Sequence, residues 1–178
     1  DEAADWLAAI IGSQNDRMAR DDGWQLLSIG RFLERMLFLL DMLILVVELD
    51  TLAPEWAPQQ LPLLLELFDC VQALQLEFPD AVRPAEVWSL LVWDAEQPRA
   101  LHWVSRSLRA RLGKLGQVER HSQDSLTQMV PDFSRATEVV GLEFLGLLRQ
   151  ARQSIWNLSD AIASRYFSHA EPVGSVGA

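Results

Sequence analysis

The run Gly30-Arg31-Phe32-Leu33-Glu34-Arg35 sets two guanidiniums and a carboxylate at the i, i+3 and i, i+4 spacings that meet on one side of a helix. Arg31 can reach Glu34 and lies four residues from Arg35, so the carboxylate can hold one arginine while the other takes an external anion. A second polar stretch, Trp93-Asp94-Ala95-Glu96-Gln97-Pro98-Arg99, reads as a corner between helices. There Asp94 caps or pairs, and Arg99 begins the next helix. If this corner packs on the first run, Arg31, Glu34, Arg35, Asp94 and Arg99 form one cluster. Two readings stay open for it: a polar network that fixes helix register, or a binding site for a carboxylate or phosphate group. Glu34 is the candidate for acid–base work. Gly30 costs roughly 1 kcal/mol of helix propensity against Ala, which predicts that another helix approaches closely at that point.

Other chemistry is sparser. His102, His121 and His169 are far apart and none has a second ligand one helical turn away, so no metal site is expected. No glycine-rich phosphate loop occurs, and no cofactor is implied. Cys70, within Leu63-Leu64-Leu65-Glu66-Leu67-Phe68-Asp69-Cys70-Val71, reads as a packed thiol on an apolar helix. Among the seven tryptophans, Trp24, Trp88, Trp93 and Trp103 are candidates to line a ligand pocket, set against the ordinary role of joining helices.

Helical periodicity runs nearly throughout, without alternating strands or tight hairpin signals. It predicts an all-α bundle of six to seven helices with a long central second helix and a long C-terminal helix. The first spans about Glu2 to Met18 and the second about Gly23 to Leu49. Pro62 opens a third that runs to about Phe78, Pro84 a fourth that reaches Trp93, and Pro98 a fifth from about Arg99 to Leu115. Residues 117–132 read as a long polar connection with room for one helical turn. The last helix is expected from about Ser134 to Phe167, with Leu148, Ile155, Leu158, Ile162 and Tyr166 on one stripe.

The second helix should be central, because every residue from Met36 to Val47 except Asp41 is apolar and such a helix must be surrounded by others. Glu34, Asp41 and Glu48 recur every seven residues and stay within roughly 40° of one line along it. Each needs a partner or a route to water. Leu27, Phe38 and Leu45 share that line, so it is a mixed seam.

Composition bounds the rest. The 178 residues carry fifteen Lys plus Arg against twenty-five Asp plus Glu, a net charge of −10, which argues against general nucleic-acid binding. Residues 1–98 hold eighteen acids and five bases, whereas 99–120 hold six bases and one acid. That basic stretch either folds back on acidic neighbours or forms a docking surface for an acidic partner or a phosphorylated small molecule. The run Met36 to Val47 is too short and too charged at its flanks to span a bilayer. A lone cysteine suits a reducing cytoplasm, where the protein is expected. The start, Asp1-Glu2-Ala3-Ala4-Asp5, has acids where a secretory signal carries basic residues, and no initiator Met, so the chain is expected to begin within a longer polypeptide.

From Asp22 to Arg35, with its Gly23-Trp24 and its Gly-Arg-x-x-Glu-Arg, the sequence resembles the bacterial Alpha-E domain family. Trp88 to Leu101, with Trp93-Asp94 and Gln97-Pro98-Arg99-Ala100, resembles the family's apolar helix and Asn-Pro-Arg-Ser corner. Leu158 to Phe167 resembles its closing helix. The resemblance implies a helical domain over residues 1–170, the later part of a larger domain or fusion; by its residues, 171–178 reads as a disordered tail. It also implies an accessory or scaffold role in peptide or amide ligation, with an ATP-grasp ligase domain as partner in cis or in trans. The motif positions carried over are Arg31, Glu34, Arg35 and Arg99, with Asp94 beside them. Departures are visible: Cys70 to Phe78 lacks the arginines many relatives carry there, and the corner is Gln-Pro-Arg-Ala. Catalysis through Glu34 with Arg31 and Arg99 is one alternative. A structural interaction or dimerisation module, self-associating through exposed apolar surface, is the other.

Overall fold

A computed structural model describes residues 2–52, 57–78, 83–115, 120–134 and 141–167. Those residues form eight α-helices and no strand: α1 (Glu2–Arg17), α2 (Asp22–Leu52), α3 (Ala57–Leu67), α4 (Val71–Glu77), α5 (Pro84–Trp88), α6 (Leu101–Leu112), α7 (Arg120–Met129) and α8 (Leu142–Tyr166). The expected all-α architecture with a long second and a long last helix is the observed one. No helix among the described residues is long and apolar enough to cross a membrane. The expected tail at 171–178 lies outside the described residues.

Asp21 starts α2 by accepting the Trp24 backbone N–H on its side chain at 3.0 Å, so one of the unpaired donors of the first turn is satisfied. From there α2 lies between α8 and α6, its two main packing partners, with α3 against its later half. Ile29, Leu33, Met36, Leu40, Leu43 and Val47 are buried on it. Burying a side chain of this size stabilises by roughly 1.5–3 kcal/mol, which is why the apolar run behaves as the core. The prediction that α2 is enclosed on every side needs correction. Phe38 and Leu45 are nearly half exposed, Phe38 resting edge-on against Phe68 at 5.6 Å. The seam shared with Glu34 and Asp41 therefore faces outward, where water reaches the carboxylates.

Three boundaries differ from the sequence-based expectation. The helix expected from Pro62 to Phe78 starts a turn earlier, with Pro62 inside α3, and breaks at Asp69. There the Asp69 N–H bonds to Glu66 O and the Cys70 N–H to Leu65 O, the paired closure of a helix end that requires a left-handed residue. Asp69 supplies it with φ of 52°. The polar connection after α6 contains the ten-residue α7, whose end is clamped to α6 by Ser105 Oγ donating to Pro131 O and by Arg109 to Val130 O. Finally, α8 begins at Leu142 and not near Ser134. Residues 131–134 are not helical, with the Ser134 N–H turned to Asp132 Oδ1, and Gly141 precedes the helix at φ of 66°, a conformation that favours glycine.

The fourth predicted helix does reach Trp93, but as α5 continued by a π-helical turn, Ser89–Trp93, closed by Asp94 N–H to Ser89 O. The turn sets Trp88 and Trp93 against Phe144 of α8, and the Trp93 carbonyl accepts the His102 Nδ1 hydrogen at 2.9 Å. Trp103 packs on Phe32. These three tryptophans join helices, whereas Trp24 lines a pocket with Arg20, Gln25, Arg111 and Lys114.

Candidate functional site

Arg31, Glu34 and Arg35 on α2 and Arg99 before α6 line one cleft of about 660 Å³. Its apolar wall comes from Ile11, Phe38, Leu39, Leu67 and Phe68. Four of the five predicted residues thus converge, three from α2 and one from the turn before α6, at an open surface: Glu34, Arg35 and Arg99 are exposed, Arg31 half-buried.

Arg35 and Arg99 are set near enough to feel each other. Partial desolvation first, and then the positive field of Arg99, hold the Arg35 guanidinium below its ordinary range. Two like charges brought together beside an apolar wall favour a guest that is anionic, because such a guest lowers the energy of both. Planar guanidiniums also match a carboxylate's two oxygens.

The fifth residue goes elsewhere. Asp94 Oδ1 accepts the backbone N–H of Glu96 at 2.7 Å and of Gln97 at 3.1 Å, the capping option of the two the sequence left open. The corner is closed further by Arg99 N–H to Gln97 Oε1 at 3.4 Å, so Gln97 serves the turn. Asp94 does not line the cleft.

Sequence reasoning missed Asp69, whose carboxylate lies 3.9 Å from the Arg99 guanidinium. The available signal was an aspartate in a stretch without glycine, since Asp and Asn tolerate the left-handed turn better than other side chains. Cys70 is fully buried beside it, its thiol 3.2 Å from Phe68 O. Burial pushes that thiol up, Asp69 pushes the same way and Arg99 opposes, so Cys70 is a packed residue and not a nucleophile.

Gly30 corrects another expectation. A Cβ there would meet nothing within 4 Å, so no helix approaches it closely. It lines a second groove of about 650 Å³ between the first half of α2 and the end of α8, where Ser159, Ile162 and Ala163 face Arg31 and Glu34. Arg31 and Glu34 therefore stand on the ridge between groove and cleft. Among the described residues no three of His, Cys, Asp or Glu gather as metal ligands.

Residues 1–167 match the family model Alpha-E, described as a predicted alpha-helical domain with a conserved ER motif. The chain belongs to the Alpha-E family. Glu34-Arg35, the pair in the Gly-Arg-x-x-Glu-Arg run, puts its arginine against Arg99 and its glutamate on the ridge. No curated protein and no solved structure matches this Alpha-E chain.

Proposed function

We propose that this Alpha-E domain is a helical accessory domain of an ATP-grasp-linked peptide or amide ligation system, and that its cleft holds a carboxylate group between Arg35 and Arg99. The ligation setting and the ligase partner, in cis or in trans, come from the family resemblance. What supports the carboxylate is one observation: Arg35 faces a second guanidinium at an apolar wall, with desolvation already working against its charge. Glu34 and Arg31 border the guest, Asp69 competes with it for Arg99, and Asp94 shapes the corner from which Arg99 projects.

The test is an NMR titration with acetyl-Ala-Ala and with its C-terminal amide. Saturable shifts at the cleft are expected with the acid only, weakened at least about tenfold, or 1.4 kcal/mol, by Arg35→Gln or Arg99→Gln. Equal response to acid and amide would sink the carboxylate. Glu34→Gln separates positioning from catalysis: an accessory role leaves ligation by the partner within a few-fold, whereas a catalytic Glu34 would abolish turnover in a folded protein.

One observation favours a second reading, a self-association module. Every side chain described on α1 is exposed, including Trp6 at 69%, Leu7 at 60% and Ile10 at 51%. Glu2 and Asp5 open this helix and Arg17 ends it, so two copies paired antiparallel would bury the apolar stripe and match opposite charges. Sedimentation of the protein against Trp6→Ser/Ile10→Ser decides it: a dimer lost in the variant supports pairing, a monomer in both rules it out.

A further inference from the structure

Three arginines after residue 98 fold back on acidic neighbours: Arg106 meets Glu96 at 3.7 Å, Arg109 meets Asp132 at 3.8 Å, and Arg99 meets Asp69 at 3.9 Å. Two charges lining the carboxylate cleft are not answered in this way. Among the described residues no carboxylate pairs with Arg35 and no cation pairs with Glu34. Nor do the two close on each other, because consecutive side chains on a helix diverge by about 100°. Both border the same space, Arg35 in the field of Arg99 and Glu34 on the ridge. Asp69, which competes for Arg99, is almost fully exposed and held only at the limit of an ion pair, so a guest displaces it at little cost.

The wall of the cleft is unsatisfied in another way. Phe38 of α2 and Leu67 of α3 are about half exposed beside the buried Leu39 and Phe68, and Ile11 of α1 adds a third exposed apolar side chain. Covering such side chains removes apolar area from water. A phosphate or other dianion would be repelled by Glu34 and would leave the wall wet. An amine alone would leave Arg35 and Arg99 set against each other. A molecule that carries a carboxylate, an ammonium and a large apolar group on one carbon answers all three demands at once.

We propose that the cleft takes a free amino acid with a large apolar side chain: its carboxylate on Arg35 and Arg99, its ammonium at Glu34, and its side chain against Phe38 and Leu67. This assignment rests on the carboxylate reading above and adds to it the amine and the side chain. NMR titration of the full chain with leucine, alanine, acetyl-leucine and leucinamide tests it. Leucine is expected to bind saturably at the cleft, roughly two- to five-fold tighter than acetyl-leucine, the worth of an exposed ion pair. It should also bind at least about fivefold tighter than alanine, whose side chain covers less of the wall. Leucinamide should not bind. Glu34→Gln should erase the preference for leucine over acetyl-leucine and leave acetyl-leucine binding unchanged. Leu67→Ala, at an exposed position, should about halve the preference for leucine over alanine. The assignment fails if acetyl-leucine or alanine binds as tightly as leucine, or if Glu34→Gln weakens leucine and acetyl-leucine alike; selection of acid over amide would then leave the carboxylate reading standing. Leucinamide binding like leucine, or no binding of any of the acids, overturns the carboxylate reading and this one with it.

Discussion

The two sides of α2 treat the same chemistry in opposite ways. Toward α8, carboxylates meet arginines in register: Glu48 takes Arg149 at 2.7 Å and Asp41 takes Arg152 at 3.1 Å. Toward α3 and α6, Arg35 meets another arginine and a wall of apolar side chains. One side is neutralised internally; on the other, Arg99 meets Asp69 only loosely, at 3.9 Å, and Arg35 is set against a like charge. The line of acids shows where the change occurs. Further along α8, at the level of Glu34, the facing residues are Ser159, Ile162 and Ala163. A helix face is therefore structural or available according to what its neighbour presents, and not according to its own residues.

The largest effect expected belongs to neither polar side. Leu40→Ala, at a fully buried position, should cost about 2–5 kcal/mol in urea unfolding, and a smaller loss would mean that α2 is not the core. Next, Arg35→Gln should keep stability within about 0.5 kcal/mol or raise it, since it relieves like-charge repulsion at a surface position, while removing carboxylate binding. A large stability loss there would put Arg35 with the internally paired arginines. Gly30→Ala should stabilise by up to about 1 kcal/mol, because the added Cβ meets open space in a regular helix; destabilisation would show that the groove closes.

Smaller effects refine the contrast. Asp69→Asn keeps the left-handed turn and releases Arg99, so acid binding in the cleft should tighten roughly two- to five-fold, the worth of an exposed pair. A double-mutant cycle on Asp41 and Arg152 should give a coupling of about 0.2–1 kcal/mol, falling with salt. Last comes pH. Arg83 hydrogen-bonds the Glu86 carboxylate at the start of α5 and holds it below its ordinary range. Its contribution is present above the unfolded carboxylate value of about 4.3 and is lost as pH falls through the lower folded value. The melting difference between the wild type and Glu86→Gln should accordingly be constant at neutral pH and shrink in acid below about pH 4.

Local information was enough for the helices and for most of the cleft. The apolar stripe of α8, the length of α2 and the pairing of Arg31, Glu34 and Arg35 on one side of a helix all follow from a period of 3.6 residues. Breaks are harder to read when their chemistry is weak. Asp69 interrupts a helix without glycine or proline, and α7 has so polar a sequence that only packing on α6 and α8 secures it. Gly30 misled for a related reason: a missing side chain signals either close contact or open space, and the residue alone does not distinguish them.

By itself, then, the sequence determined the all-α class, the central helix, its seam of carboxylates and the arginines that belong together, because each depends on spacing along one chain. Only the tertiary structure decided which charges are answered. Arg149 and Arg152 reach Glu48 and Asp41, respectively, across about a hundred residues, Asp69 rather than Glu34 or Asp94 lies beside Arg99, and Arg111 and Lys114 end in one pocket with Arg20. Charge interactions fall off with distance in space and not in sequence, so a residue's partner is a property of the packed fold.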